Sequence, residues 1–184
     1  MCAQGPYLYS LYRDEYGLPA SVVSALFTTG FVAGAASGVV VGALADRWGR
    51  KRACLAFCAL YGVSALLTTT GAHPALLFAG RVLGGVATSI LFSVFDGWMV
   101  ADFRRRRLVD HGCDLSRTYG TMGTINSLTA IAAGVASEAL VAATGSKKAP
   151  FYASSALLWL ALQRIFATWV GLAHETSVWR EAVY

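Results

Sequence analysis

The sequence predicts an all-α, polytopic membrane helix bundle, and three observations lead to this fold class. Hydrophobic residues make up 56% of the 184 residues and charged residues only 14%, against about 25% charged residues in typical soluble domains. Residues 17–45, 53–80 and 118–137 contain no charged side chain. About 20 apolar helical residues cross a bilayer core of about 30 Å, so each stretch is long enough to span it. A soluble helix would instead carry a charged face along one side.

Five membrane spans are predicted within a bundle that covers residues 17–175. Their approximate bounds are 21–45, 53–70, 75–101, 116–144 and 151–173. Ser21 and Ser116 are the expected N-caps of the first and fourth spans. The connections are short except for residues 102–115, so consecutive spans are expected to pack side by side and antiparallel.

The two ends of the chain receive separate predictions. Residues 1–16 are too short to cross a membrane, and we interpret them as the tail of an incomplete first helix followed by an outer loop. Residues 176–184 are polar and are expected to form a cytoplasmic tail.

The distribution of basic residues predicts the orientation of the bundle. Ten basic residues fall on one side and three on the other, and the more basic side is expected to be cytoplasmic. The segments 46–52 and 104–107 lie on that side, together with Arg117 and Arg180, whereas the opposite side carries Arg13, Lys147 and Lys148. The net charge of +5 is therefore a topology signal, and no nucleic-acid partner is needed to explain it.

A glycine-rich basic motif follows the first span. It runs Gly42-Ala-Leu-Ala-Asp46-Arg47-Trp-Gly49-Arg50-Lys51-Arg52. Gly42 allows a neighbouring helix to approach closely, and Gly49 permits a tight turn into the next span. Asp46 can accept hydrogen bonds from a helix N-terminus or from nearby arginines.

This motif resembles the loop between the second and third helices of the major facilitator superfamily, and it matches at every defined position. The resemblance implies a gating loop that latches the two halves of a transporter on the cytoplasmic side. It also implies an acidic partner for the arginines at the end of the next-but-one helix. Asp102 is best placed for that role, and Asp96 is second.

Further stretches are similar to the molybdate-anion transporter family over nearly the whole chain. They are Gln4–Tyr9, Gly49–Cys54, Gly80–Gly85, Thr88–Ser93 and Ala149–Phe151. Phe95-Asp96-Gly97-Trp98 departs from the family's usual glutamate and shortens the reach of that acid. Because the family has twelve helices, the resemblance implies the N-terminal half of a plasma-membrane carrier whose C-terminal six-helix half is a missing partner.

Glycines recur every four residues on the first span, at Gly30, Gly34, Gly38 and Gly42. This spacing places them on one helix face, where another backbone can come close, and Gly84 offers a similar surface on the third span. We expect these residues to serve helix packing rather than substrate contact. If the partner half is missing, the first glycine face would be exposed to lipid and could support self-association.

Arg81 is the main candidate for substrate binding. A charge within a span costs at least about 2.5–3.5 kcal/mol, so it needs a water-filled cavity or a partner. A tetrahedral oxyanion such as molybdate accepts hydrogen bonds and matches the guanidinium fork. An ion pair with an acid on the missing part of the first helix explains the charge equally well, and the side chain could also reach outward to the interface. Second-rank cavity candidates are Asn126, Gln163 and Arg164.

These features favour a secondary transporter that imports molybdate or a similar small oxyanion by alternating access. A carrier for a sugar or drug and a non-transporting truncated membrane subunit are the alternatives. His73, His111 and His174 form no cluster with ligand spacing, and no Walker-type loop appears. We therefore expect no metal, no cofactor and no enzyme activity.

Overall fold

The computed structural model describes residues 3–71, 73–105, 107 and 114–168. Helix α1 (Gly5–Ser10) continues into a π-helical turn (Leu11–Glu15) and is followed by α2 (Ala20–Trp48), α3 (Arg50–Thr69), α4 (Pro74–Arg105), α5 (Leu115–Thr144) and α6 (Ala149–Thr168). The described part of the chain contains no strand. The predicted all-α fold class is confirmed.

Within the described residues, four helices are long and apolar enough to cross a membrane. They are Ala20–Ala45, Arg52–Thr69, Pro74–Gly97 and Leu115–Thr144. Helix α6 is not among them, although a fifth span was predicted over 151–173. Its described part ends at Thr168 and contains Gln163 and Arg164, whose polarity lowers its mean hydropathy. The rest of the predicted span and the tail at 176–184 lie outside the described residues.

Both predicted N-caps are wrong. Helix α2 starts one residue before Ser21, and the Pro19 carbonyl accepts from the backbone N–H groups of Val22 and Val23 at 3.0 and 3.1 Å. Helix α5 is capped by Asp114, whose carboxylate accepts from the Ser116 N–H at 3.0 Å. A carboxylate is the stronger acceptor at the positive end of a helix, so it takes the cap in place of the serine hydroxyl.

The helices do not pack in their order along the chain. The most extensive contacts join α2 with α4, α3 with α4 and α3 with α6. Only the second of these pairs is consecutive, so the prediction that neighbouring spans lie side by side is wrong for α2 and α3. Small residues face each other on α2 and α4, so these two helices can approach more closely than the consecutive helices α2 and α3.

A seam of small residues joins α2 and α4. A methyl group built on Gly34 would lie 3.4 Å from the carbonyl oxygen of Gly85, and one built on Gly85 would lie 2.9 Å from the Gly34 nitrogen. Ser89 donates to the Gly34 carbonyl and accepts from Ser37 at 3.0 Å. The backbones therefore meet as closely as glycine permits.

This seam changes the expected role of the glycine face. Gly30 and Gly34 are covered by α4, whereas Gly38 only touches Ser89 at 3.9 Å. No described atom lies within 4 Å of a methyl group built on Gly42. The expectation that this face lies open to lipid and drives self-association is therefore wrong for its first half, because α4 from the same chain already occupies it.

The end of the bundle at Asp14 and Lys147, called the outer end because the distribution of basic residues predicts that it faces outward, is held by contacts between distant segments. Lys147 pairs with Asp14 at 2.8 Å, and Lys148 pairs with Glu15 at 3.3 Å. The Tyr16 hydroxyl donates to the Thr68 carbonyl at 2.9 Å. Burial raises the pKa of Tyr16, so this phenol remains a neutral donor at physiological pH. These contacts join the end of the first helix to α3 and to the loop between α5 and α6.

Candidate functional site

Arg81 lies in the third turn of α4, and its side chain contacts α2. It is the eighth residue of α4, about 10 Å from the helix start at 1.5 Å per residue. Its Nε donates to the Leu26 carbonyl at 3.4 Å, and its Cζ lies 4.9 Å from the centre of the Phe27 ring. A methyl group built on Gly30 would be 3.4 Å from the guanidinium, so the absence of a side chain at Gly30 makes room for it.

The charge of Arg81 has no acidic partner among the described residues. The ion pairs found in this part of the chain join Asp14 to Lys147 and Glu15 to Lys148. A guanidinium carries five N–H donors, and the one hydrogen bond found for Arg81 in the described chain is long. The attraction to the face of Phe27 stabilises the cation but accepts no hydrogen bond. Most of its donors are thus available to an acceptor from outside the chain.

Tyr12 lies next to this group at the centre of the outer hydrophobic cluster. Its residue surface is 0% exposed, and it is packed with Leu8, Leu11, Leu26 and other apolar side chains. Its ring meets the Phe27 ring edge-on, with the centroids 6.4 Å apart. Phe27 therefore contacts both residues, with the Arg81 cation over its face and the Tyr12 ring at its side.

The Tyr12 hydroxyl lacks a hydrogen-bond partner in the described part of the protein. The side chains of Arg81 and Thr68 both lie within hydrogen-bonding reach of this hydroxyl, but neither meets the distance and angle limits of a standard hydrogen bond with it. The sequence reasoning did not single out Tyr12. Residues 1–16 are too short to show helical periodicity, and tyrosines are common at membrane interfaces.

The second-rank candidates are not brought to Arg81. Asn126 on α5 and Gln163 and Arg164 on α6 are all exposed. The extensive contacts of α4 are with α2 and α3, and neither α5 nor α6 reaches the α2–α4 seam extensively. The described chain therefore does not gather these polar side chains into one enclosed site.

A groove of about 320 Å³ lies beside the seam but has the wrong chemistry for an anion. It is lined by Thr28, Thr29, Val32, Ala33, Ala36 and Val82. The hydroxyls of Thr28 and Thr29 donate to the Ser24 and Ala25 carbonyls of their own helix. An apolar surface whose hydroxyls already donate hydrogen bonds within their own helix suits a lipid chain, so we do not assign the substrate to this groove.

The structure describes only some residues of the predicted gating loop. Gly49 separates α2 from α3 with φ of 87°, a left-handed backbone that favours glycine. Arg47 and Asp96 are exposed. The side chains of Asp46, Arg50, Lys51 and Asp102 lie outside the described part of the structure, and so does the suggested pairing of Asp102 with the arginines.

Gly84 also lies at a helix contact, but with α3 rather than α2. A methyl group built on it would be 2.8 Å from Ser64 Oγ, which donates to the Gly80 carbonyl at 2.7 Å. The adjacent Gly85 makes the tighter approach to α2. Sequence reasoning missed Gly85, although the Gly84-Gly85 pair was a signal that two faces of α4 are smooth.

Comparisons with known proteins give relatives along nearly the whole chain. A family model described as sugar transporters with 12 transmembrane segments matches residues 2–181. A molybdate-anion transporter of Xenopus tropicalis is 32% identical over 179 residues, which is 96% of this chain and 39% of the relative. One of Danio rerio is 39% identical over 97 residues, 53% of this chain and 20% of the relative. No solved structure matches. The chain spans about two fifths of the Xenopus relative.

Proposed function

Because this chain belongs to the major facilitator superfamily of membrane transporters, we propose that it forms the N-terminal half of a carrier for molybdate or a similar small oxyanion. The observation that carries the proposal is Arg81, a cation within a membrane helix that has no acidic partner among the described residues. The similar proteins of Xenopus and Danio are named molybdate-anion transporters, which supports the substrate class.

The chemistry of Arg81 fits such a substrate. A tetrahedral dianion accepts hydrogen bonds on every oxygen, and the planar guanidinium can offer it two parallel donors. Binding would replace the long contact with the Leu26 carbonyl by charge-assisted hydrogen bonds, which are shorter and stronger. The described acids at the outer end of the first helix, Asp14 and Glu15, are taken by lysines. These two acids are therefore not free to pair with Arg81.

The packing supports alternating access as the mechanism. Carriers of this kind place their substrate near the midplane between two halves that rock against each other. Helices α2, α3 and α4 form a continuous block, since the glycine–serine seam joins α2 to α4 and Ser64 joins α3 to α4. Such a block would move as one body against the C-terminal six-helix half, with plasma membrane as the proposed location.

A sugar is the second candidate substrate, because the matching family model is described as sugar transporters. Sugars are usually held by neutral hydrogen-bonding groups and aromatic faces, whereas an unpaired cation favours an anion. A competition assay distinguishes the two substrates. An unlabelled sugar would displace the labelled substrate of a sugar carrier, whereas sulfate or molybdate would displace that of an oxyanion carrier.

The test is uptake of labelled molybdate into proteoliposomes or molybdate-starved cells. Three proteins are compared: the 184-residue chain, a version extended to twelve helices, and that extended version with Arg81→Ala. We expect saturable uptake by the extended version alone, reduced at least about tenfold by Arg81→Ala, because the charge-assisted hydrogen bonds of the guanidinium are lost. If Arg81→Ala leaves uptake unchanged, Arg81 is not part of the substrate site. Saturable uptake by the short chain would contradict the assignment of this chain as half of a carrier.

A further inference from the structure

We infer that the Tyr12 hydroxyl is a second donor to the anion that Arg81 binds, and that it completes the anion site between the first helix, α2 and α4. This inference rests on the proposed oxyanion function and names a residue that sequence reasoning did not single out. It starts from a different observation: a phenol that is wholly buried and has no hydrogen-bond partner in the described structure.

An unpartnered buried hydroxyl is unusual. Most buried polar groups are hydrogen-bonded, because the loss of water must be compensated. Tyr16, one turn further along the same segment, follows the rule by donating to the Thr68 carbonyl at 2.9 Å. Thr68 Oγ1 donates to the Ser64 carbonyl at 2.9 Å. These two neighbours of Tyr12 thus have hydrogen bonds of standard geometry, whereas none is found for the Tyr12 hydroxyl in the described structure.

The phenol oxygen can accept from the nearby Arg81 guanidinium, which can only donate. Thr68 Oγ1 forms no hydrogen bond of standard geometry with Tyr12, so the phenol proton is available to an acceptor from outside the chain. Two donor groups of different kinds thus lie near each other. A group with several acceptor atoms and a negative charge satisfies both, and a tetrahedral oxyanion has this character.

Arg81 is placed to admit the ligand. Its side chain is half-buried, so it forms the accessible side of the site, and Tyr12 forms the closed end. The contact from Arg81 Nε to the Leu26 carbonyl is 3.4 Å long and weak enough to be exchanged for an anion. When the guanidinium turns toward the ligand, the phenol beside Phe27 can donate to the same anion.

The test compares Tyr12→Phe with Tyr16→Phe. Both substitutions remove one phenolic oxygen from the same segment and keep the aromatic ring. Tyr12→Phe removes a hydroxyl without a partner, whereas Tyr16→Phe removes one bonded to a backbone carbonyl. The purified full-length protein that carries this chain is titrated with sodium molybdate and sodium sulfate in detergent, and its thermal midpoint is measured without and with anion. Arg81→Gln is measured alongside.

We expect Tyr12→Phe to weaken anion binding about tenfold or more, while its anion-free midpoint stays equal to the wild type or rises. Tyr16→Phe should lower the anion-free midpoint and leave affinity within about twofold. A purely structural role for Tyr12 would move the midpoint and leave affinity unchanged, and that result would overturn the inference.

The remaining outcomes separate this inference from the proposed function. If Arg81→Gln abolishes binding and Tyr12→Phe does not change it, Tyr12 is excluded and the oxyanion site at Arg81 stands. If the wild type binds neither anion, both the oxyanion function and the Tyr12 donor are refuted. If Arg81→Gln leaves affinity unchanged, the anion sits elsewhere and the joint site is refuted as well.

Discussion

Gly85→Ala is the most direct test of how α2 and α4 pack. The new methyl group would lie 2.9 Å from the Gly34 nitrogen and 3.1 Å from the Ala33 Cβ, and closer still to the Gly30 carbonyl oxygen. These neighbours are mainly backbone atoms, so they cannot rotate away. The helices must separate by about 1 Å to bring the closest of these contacts back to ordinary van der Waals distance.

The expected change in the stability of Gly85→Ala combines two destabilising contributions and one stabilising contribution. Overpacking a tight interface costs about 1–3 kcal/mol, and separation also strains the hydrogen bond from Ser89 to the Gly34 carbonyl, at about 0.6 kcal/mol for an interhelical bond in a membrane protein. Alanine gains up to about 1 kcal/mol over glycine within a helix. Gly97→Ala, on the same helix with no described atom within 4 Å of its added methyl group, receives only that gain and serves as the control.

The difference between the two variants therefore isolates the steric term. We expect Gly85→Ala to be about 2–3 kcal/mol less stable than Gly97→Ala, measured by reversible unfolding in mixed micelles. Equal stability of the two variants within about 0.5 kcal/mol would show that α2 and α4 do not meet at Gly85, and the seam described above would be wrong.

Two further predictions concern orientation and the outer ion pairs. Cysteine introduced at exposed Arg47 should be labelled by an impermeant reagent only from the cytoplasmic side, and cysteine at Lys147 only from outside; labelling of Arg47→Cys on intact cells would reverse the topology. Asp14→Lys should lower stability by less than about 1 kcal/mol at low salt, since the pair with Lys147 is substantially solvent-exposed, and the double variant Asp14→Lys with Lys147→Asp should restore it. A single variant as stable as the double one would show that the pair contributes nothing.

The positions of the membrane helices could be predicted because charge avoidance is a local property. A stretch such as 17–45 shows it without reference to any other part of the chain. The order in which helices pack is a property of pairs, and here it was decided by Gly85 meeting Gly34. A repeat of glycine indicates a smooth face but not which other face it meets, so the α2–α4 partnership could not be deduced from spacing.

The same distinction between local properties and properties of residue pairs applies to the candidate site. Arg81 was found from sequence, because a charge in a membrane helix is costly whatever surrounds it. Tyr12 was missed, because a tyrosine near a helix end is ordinary until its hydroxyl is seen to be buried without a partner. Asn126 and Gln163 were proposed on the same grounds of polarity, and the structure leaves both on exposed surfaces away from Arg81.

The outer ion pairs also constrain how the chain is assembled during synthesis. Asp14 and Lys147 are 133 residues apart, so the acid emerges long before its lysine is made. At about 5–20 residues per second, the delay is roughly 7–27 seconds. Through that interval the lysine partners of Asp14 and Glu15 do not yet exist. Tyr16 can reach Thr68 on α3 earlier, whereas the two ion pairs form only after the loop between α5 and α6 has been made.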